Sequence, residues 1–339
     1  MFLTNTTSKE LFETIKKSQN IILFIDARYD YDAFCSALSI HLLSKRLFGK
    51  NIKLAYFNRI TDEYKKNLLD IVGELPIETE IDPETFDFSK FDLHIFSDSG
   101  DVHKISDTGT FKLQHIKAIC IDHHIDSNKG FGDLYYIAKY CSTCSVIYKL
   151  MEEEGIIPTE QEACLLLVGL LSDAQFFTIQ SAQSWDFYSA SKLLELSQKP
   201  YGYFLSTFFN VDSLDETKMK ALAYKNMVID ESFGLVYSYA TLAETISCGI
   251  DLDKKFDVSP VDLFFKIKLM RVAFFIKEQK DTPNTYSVSF RSRGDVDVVP
   301  LAKRFGGGGH KNAAGGILVN VKNIETALGL VLKEFQALF

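Results

Sequence analysis

The stretch "CIDHHIDSN" (120–128) sets Asp122, His123 and His124 side by side at the end of an apolar run. Carboxylates behind greasy segments recur elsewhere. "IILFI" is followed by "DARYDYD", with Asp26, Asp30 and Asp32; "LHIFS" is followed by Asp98, with Asp101 nearby; and Asp173 closes the very apolar "LLVGLLSD". So many carboxylates cannot share one site as bare charges, because repulsion and desolvation would push protons onto them. Divalent cations remove that conflict. Oxygen ligands with one or two imidazoles suit Mn²⁺ or Mg²⁺, and suit Zn²⁺ less well. There are enough acids here for two ions sharing a bridging carboxylate. Two ions about 3.5–4 Å apart can activate a bridging water for in-line attack on phosphorus. Taken singly, each residue has a plainer explanation. Asp30 or Asp32 could cap a helix, and a His pair could lie on the surface or in a satisfied core. No Cys–His or G-x-S-x-G arrangement points instead to a covalent intermediate.

The elements that must position these groups alternate. "TSKELFETIKKS" has a capping-box pattern, Thr7 with Glu10 three residues on, ahead of an amphipathic helix. "NIILFIDA" reads as a buried strand, "AFCSALSIHLLSKRLFGK" as a helix ended by Gly49, "IKLAYFN" as a strand and "TDEYKKNLLDIVG" as a helix. "FDLHIFSDS" and "IKAICIDHH" read as two more strands, and 141–197 as helical. That alternation predicts an α/β fold with a doubly wound, mostly parallel sheet. Such sheets bind ligands outside the carboxyl ends of their strands, where the acids would meet. Residues 198–230 lose the alternation and read as a connector. Beyond them a smaller mixed α/β domain is expected, with strands at "FGLVYSYA", "RVAFFIKEQ", "TYSVSFRS" and "AGGILVNV" and helices at "SPVDLFFKIKLM", "VDVVPLAKRF" and "NIETALGLVLKEFQ". The expected division is therefore 1–197, a linker at 198–230, and 231–339, with the active-site cleft between the two domains.

Composition narrows the function. The chain has 339 residues and a formal charge of −8, which argues against coating long duplex nucleic acid through its phosphates. It does not exclude a small phosphate ligand. No stretch approaches the roughly 20 apolar residues that span a bilayer, and "MFLTNTTSKE" lacks the pattern of a secretory leader. The expected location is cytoplasmic, with no membrane partner. "CSTC" (141–144) has CxxC spacing but no second pair; small buried residues at a helix start account for it. The single Trp185 is expected in the core of a helical segment. Among the many aromatics, Tyr29 and Phe177 are candidates to stack on a base.

These residues resemble the DHH phosphoesterase superfamily. "DYD" (30–32) looks like its first motif, Asp98 its second, "DHH" (122–124) its third and Asp173 its fourth. "VSFRSRGDVDV" (288–298) and "RFGGGGHKNAAGG" (304–316) are similar to the DHH-associated C-terminal domain. Within the superfamily the chain looks most like the short two-domain oligoribonuclease/pAp phosphatases, or nanoRNases. The chain departs from the family pattern at Asp26, where the first motif normally begins with His, at Tyr29 for Pro, at Cys35 for Gly, and at "DAQ" (173–175) for "DTG".

The resemblance implies two Mn²⁺ ions, with Mg²⁺ as the substitute. One would be held by Asp26, Asp30 and Asp98, the other by Asp32, Asp98, His123 and Asp173, with Asp98 bridging. His124 would face the phosphate, and Asp122 would orient a neighbouring imidazole. Asn128, Arg291, the backbone of Gly307, Gly308 and Gly309, and His310 would bind substrate. The implied activity is hydrolysis of short linear or cyclic dinucleotides of the pApA or cyclic di-AMP type, with a 3′-phosphatase activity on pAp. The implied partners are those nucleotides and a second copy of the chain. Two alternatives are a manganese-type inorganic pyrophosphatase, against which the "GGGGHKNAAGG" terminus speaks, and a nucleotide-binding sensor with a weakened metal site.

Overall fold

Every residue of the strand Ile21–Ile25 is buried, which is why it reads as an unbroken apolar run and not as an alternation. Ile21, Leu23 and Ile25 pack into a helical layer on one side, while Ile22 and Phe24 pack on the other against Phe88, Phe96 and Ile105. The strand is therefore central in its sheet. It belongs to the first of two compact units, Met1–Val211 and Asp212–Phe339, of a computed structural model. The structure describes residues 2–26, 30–60, 62–82, 84–99, 105, 116–124, 132–179, 181–209, 213–252 and 260–338.

The first unit runs β1 (Phe2–Thr4), α1 (Ser8–Lys17), β2 (Ile21–Ile25), α2 (Tyr31–Phe48), β3 (Lys53–Ala55), α3 (Asp62–Val72), β4 (Ile77–Glu78), β5 (Leu93–Ser97), β6 (Ala118–Asp122), β7 (Leu134–Ala138), α4 (Thr143–Glu153), α5 (Glu160–Asp173), α6 (Ser184–Ser197) and α7 (Tyr201–Phe204). Its sheet has the order β1-β7-β6-β5-β2-β3-β4. All pairs are parallel except β1 with β7. From β2 the chain winds outward through β3 and β4, then returns to β2's other side and winds through β5, β6 and β7. The order reverses between β2 and β5, and a parallel sheet opens a crevice at such a point.

Local chemistry sets the boundaries. The Thr7 hydroxyl accepts from the Glu10 amide at 3.2 Å, as the sequence pattern predicts, but the Glu10 carboxylate is taken by the Thr6 hydroxyl at 2.8 Å. Gly49 ends α2 with φ of 66°, a conformation that costs glycine nothing. Helix α5 has a complete capping box between Thr159 and Glu162, and the Glu162 carboxylate also holds Arg46 of α2 at 2.8 Å. Residues 162–171 of α5 are buried without a break, so this helix has no polar face. Trp185, on α6, is half-buried and donates from its indole to the Ser145 carbonyl at 3.3 Å.

The second unit comprises α8 (Leu214–Lys225), β8 (Val228–Asp230), β9 (Leu235–Ala240), α9 (Leu242–Ser247), β10 (Val272–Glu278), β11 (Tyr286–Ser292), α10 (Val299–Arg304), β12 (Gly308–His310), β13 (Ala313–Leu318) and α11 (Ile324–Leu338). Pro260–Lys266, expected as an α-helix, is a 3₁₀ turn. The sheet order is β12-β13-β11-β10-β9-β8, antiparallel except for β9 with β10. Val272, Phe274 and Ile276 of β10 face one core and Ala273 and Phe275 the other. No helix among the described residues is long and apolar enough to cross a membrane.

One glycine ties the fold to the acids. A Cβ on Gly169 of α5 would strike the Cys144 sulfur and come within 2.9 Å of the Asp32 carboxylate. Alanine is the better helix former, but overpacking of this kind costs about 1–3 kcal/mol. Gly169→Ala is therefore expected to lower the stability measured by urea denaturation by that amount; a neutral or stabilising result would mean that α2 and α5 are not packed at this contact.

Candidate active site

Register brings the acids together. Ile25 of β2 pairs with Ser97 of β5, and Ser97 pairs with Ile121 of β6. The residues that follow, Asp26, Asp98 and Asp122, therefore stand in a row at the carboxyl ends of three neighbouring strands. All three are buried. Asp98 has φ of 60°, a left-handed conformation that Asp tolerates better than most side chains, and its amide bonds the Ile121 carbonyl at 3.0 Å.

Helices deliver the other groups. Asp32 lies in the first turn of α2. Its two carboxylate oxygens accept from the Thr143 amide at 2.6 Å and the Cys144 amide at 2.9 Å, at the start of α4. An α-helix start is a natural anion seat. The Thr143 hydroxyl donates to Asp98 Oδ1 at 2.9 Å. Asp173 is the last residue of α5, not a residue beyond a strand. Three successive non-glycine residues after it, Gln175, Phe176 and Phe177, have φ of 43°, 56° and 61°. Such positions persist only where their surroundings over-determine them.

The two imidazoles are fixed differently. His123 Nδ1 lies 3.2 Å from the Tyr140 carbonyl, so it carries the proton and donates. His123 Nε2 is thereby aimed at the acids, 3.2 Å from Asp173 Oδ2 and 3.4 Å from Asp98 Oδ1; without metal it carries a second proton, whose place a bound cation would take. His124 Nδ1 is held by Asp122 Oδ1 at 2.7 Å, and the same oxygen accepts from the amides of His123 and His124.

Ligand atoms from Asp98, Asp122, His123 and His124 lie within 4.8 Å of one another, as do those from Asp32, His123 and Asp173. His123 belongs to both groups. Asp98 Oδ2 and His123 Nε2 are buried without a hydrogen-bond partner. A proton on His123 offsets this negative charge only in part and leaves Asp98 Oδ2 unpartnered, whereas a divalent cation can take both atoms as ligands. The donor set therefore fits a hard divalent ion.

The electrostatics record the same conflict. Burial pushes the Asp98 carboxyl well above its usual range, and the charges of Asp32, Asp173, Asp122 and Asp30 push it further. Burial, then Asp173, raises Asp32 from 3.8 to about 6, against the opposing pull of His123. Burial disfavours charge on His123, yet the contact with Asp173 and the field of Asp32, Asp173 and Asp122 outweigh it and lift the ring from 6.5 to about 9. Burial works against the Asp122 carboxylate too, but its bond to His124 holds it below the ordinary value.

The remaining expected residues are placed as follows. Asp26 and Asp30 belong to neither cluster, and Asp30 caps α2 by accepting from the Asp32 amide at 2.9 Å. The Arg291 fork is closed on Asp262, with Nε at 2.7 Å and Nη2 at 3.4 Å, while Nη1 donates to the Phe290 carbonyl. Asn128, Tyr29 and Asp101 lie outside the described residues. The second half of the glycine run, whose backbone was expected to bind substrate, forms β12, paired with β13. A Cβ on Gly307 would collide with the Gly315 carbonyl, and one on Gly309, at φ of 143°, with the backbone of Ala313 and Ala314. Gly308 faces open space, and His310 closes the strand. Thr143 and Tyr140 were missed: neither residue type nor spacing marks a hydroxyl or a carbonyl as the support of a distant acid. The first and last residues of "CSTC" are buried, as expected, and α4 begins within the motif at Thr143.

Fold and site together define a metal-assisted hydrolase built at the switch point of a parallel sheet. Residues 20–170 match the model of the DHH family, N-terminal domain, and residues 261–337 that of the DHHA1 domain. The chain thus carries a DHH N-terminal domain and a DHHA1 domain, and with them it is a metal-dependent hydrolase. It is 24% identical over 330 residues to the bifunctional oligoribonuclease and PAP phosphatase NrnA of Mycoplasma genitalium, covering 96% of each chain. It is 26% identical over 325 residues to the probable enzyme of the same name from Streptococcus mutans, covering 91% of this chain and 93% of that one. The crystal structure of an exopolyphosphatase-related protein from Bacteroides fragilis superposes with a TM-score of 0.81 at 19% identity, over 98% of this chain and 96% of that one, and shows the same fold.

The metal-free site has a defined pH signature. Between pH 3.8 and about 6 folded Asp32 binds more proton than the unfolded chain, and between 6.5 and about 9 so does folded His123. Stability falls with rising pH wherever the folded state holds the extra proton. With chelator present, the melting temperature is expected to decline from pH 5 to pH 9, and a divalent ion should abolish most of the decline. Thermal melts across that range check it; a metal-free protein most stable at pH 9 would contradict the arrangement.

Proposed function

We propose that the chain is a Mn²⁺-dependent phosphodiesterase that cleaves short linear or cyclic dinucleotides, of the pApA or cyclic di-AMP type, and removes the 3′-phosphate of pAp. The observation that carries this reading is the pair of buried, unpartnered atoms, Asp98 Oδ2 and His123 Nε2, ringed by carboxylates at the strand ends. The names of the curated relatives support the substrate class.

Asp32, Asp98, His123 and Asp173 would hold metal. A divalent ion bound there supplies Lewis acidity toward a phosphoryl oxygen and lowers the pKa of an attacking water. The chain's own groups do the rest. Tyr140 fixes the His123 tautomer so that Nε2 faces the ion, as supporting carbonyls commonly do for metal-bound His. Thr143 and the first amides of α4 keep Asp98 and Asp32 from rotating away. Asp122 fixes the ring of His124, whose side chain is 32% exposed, so that with a proton on each nitrogen its Nε2–H would donate to a phosphoryl oxygen of the substrate. In the second unit, Gly308 is the glycine whose missing side chain the fold does not require, so its backbone is the proposed contact for a second phosphate. Asn128, His310 and Arg291 remain proposed substrate contacts, and Arg291 must release Asp262 to act. Asp26 and Asp30 remain proposed ligands of a second ion.

A second reading, a nucleotide sensor that binds metal without turnover, is favoured by one observation: Asp26 and Asp30 stand outside the clusters. The two separate when the purified chain with Mn²⁺ is offered pApA, cyclic di-AMP, pAp, pyrophosphate and a single-stranded DNA oligomer. Hydrolysis of the dinucleotides and pAp is expected, with Asp98→Ala and His123→Ala each losing about a thousandfold or more in kcat/KM. Bound Mn²⁺ with no turnover of any of them would establish the sensor instead. Pyrophosphate as the preferred substrate would overturn the diesterase assignment.

The glycines give a finer check. Gly307→Ala should lower the melting temperature by several degrees through its backbone clash, at about 1–3 kcal/mol. Gly308→Ala should leave the melt unchanged and raise KM for substrates that carry a second phosphate. Unchanged KM in a folded Gly308→Ala chain would remove β12 from the binding site.

A further inference from the structure

Far from the acids, the first unit has a cavity of about 390 Å³, lined by α2, the start of β3 and the end of α3. Lys53 opens β3, so the cavity lies at the amino end of that strand, whereas Asp26, Asp98 and Asp122 stand at the carboxyl ends of β2, β5 and β6 in the same sheet. The α2 residues that line it, Leu38, His41, Leu42 and Lys45, follow the i, i+3, i+4, i+7 spacing of one helix face. Val72 completes the apolar wall with Leu38 and Leu42, and Glu74 joins the lining. The volume falls in the range of small-molecule sites, about 300–1,000 Å³.

Its polar groups are not those of a packing defect. His41 is only 6% exposed, and its one hydrogen bond runs from Nδ1 to the Ile52 carbonyl at 2.8 Å. The other ring nitrogen, Nε2, has no hydrogen-bond partner among the described residues. Burial holds His41 below its usual pKa, with Lys45 and Glu74 acting on the ring in opposite senses. The neutral ring therefore donates from Nδ1 and presents Nε2 as an acceptor. On the pocket wall that acceptor is open to water or to a ligand that supplies a donor.

Together these groups specify a ligand. Leu42 and Val72 offer a surface for a flat apolar ring, and His41 Nε2 can accept from an N–H at its edge. The Glu74 carboxylate accepts from hydroxyls, and Lys45, which has no acidic partner among the described residues, attracts an anion. We propose that this cavity is a binding site for a nucleoside monophosphate, with the base against α2 at His41, the ribose diol at Glu74 and the phosphate at Lys45. The assignment comes from the lining alone and does not depend on which substrate the acidic site cleaves.

Calorimetric titration of the full chain in chelator tests it, with AMP, GMP, adenosine, ribose 5-phosphate and inorganic phosphate as probes. One site for AMP or GMP is expected, with adenosine and ribose 5-phosphate each weaker by about tenfold. Lys45→Ala should lose about tenfold for AMP and leave adenosine unchanged. Leu42→Trp, from a half-buried position, should fill the cavity and abolish binding without moving the melting temperature. Asp98→Asn should bind AMP as the parent does, which separates this site from the metal cluster. The proposal is overturned if neither nucleotide binds at about 1 mM, if inorganic phosphate binds as tightly as AMP, or if binding is lost in Asp98→Asn but survives in Lys45→Ala and Leu42→Trp.

Discussion

Buried carboxylates repel one another, and this structure gathers them where water cannot screen the repulsion. Asp32, Asp98 and Asp122 are almost wholly inaccessible, and Asp173 closes on them through His123. The protein answers part of that charge itself. Two amides of α4 and the Thr143 hydroxyl bond Asp32 and Asp98, and two amides and an imidazole bond Asp122. Asp98 Oδ2 and His123 Nε2 are left over. An unsatisfied buried polar group costs about 1–3 kcal/mol, and more when charged. A cation bound between them would remove that cost.

The fold makes the convergence unavoidable. Three parallel strands in register end together, so one acid after each places three acids in a row. The reversal of strand order between β2 and β5 opens the sheet above that row. Helices then point both kinds of terminus at it. The α4 start brings amides that neutralise Asp32, and the α5 end brings Asp173. Gly169 lets α5 approach α2 closely enough for these parts to touch.

Much of this was legible in the sequence because a buried strand followed by an acid is an uncommon pairing. β2, β5 and β6 are short apolar runs closed by Asp26, Asp98 and Asp122, and those placements need no tertiary information. Asp173 was legible as a neighbour of the site but its carrier was less clear, since α5 is buried all round and has no amphipathic period to identify it. β7 escaped notice because "LYYIA" is too short and too mixed to stand out. Thr143 escaped because it acts on acids more than forty residues away in the chain. Arg291 looked like a phosphate grip by residue type; its pairing with Asp262 joins a 3₁₀ turn to a strand, a contact that no local pattern encodes. The glycines were expected to offer backbone to substrate; the close approach of β13 to Gly307 and Gly309 is a second reason for glycine that the sequence alone does not show.

The central claim is that the stranded atoms of Asp98 and His123 meet at a cation. Crystals grown with Mn²⁺ and measured at its absorption edge locate the ion directly by anomalous scattering. The account predicts a peak bonded to His123 Nε2 and to carboxylate oxygens of Asp98 and Asp173, with His123 Nδ1 still on the Tyr140 carbonyl. A peak elsewhere, or one bonded to His123 Nδ1, would contradict it.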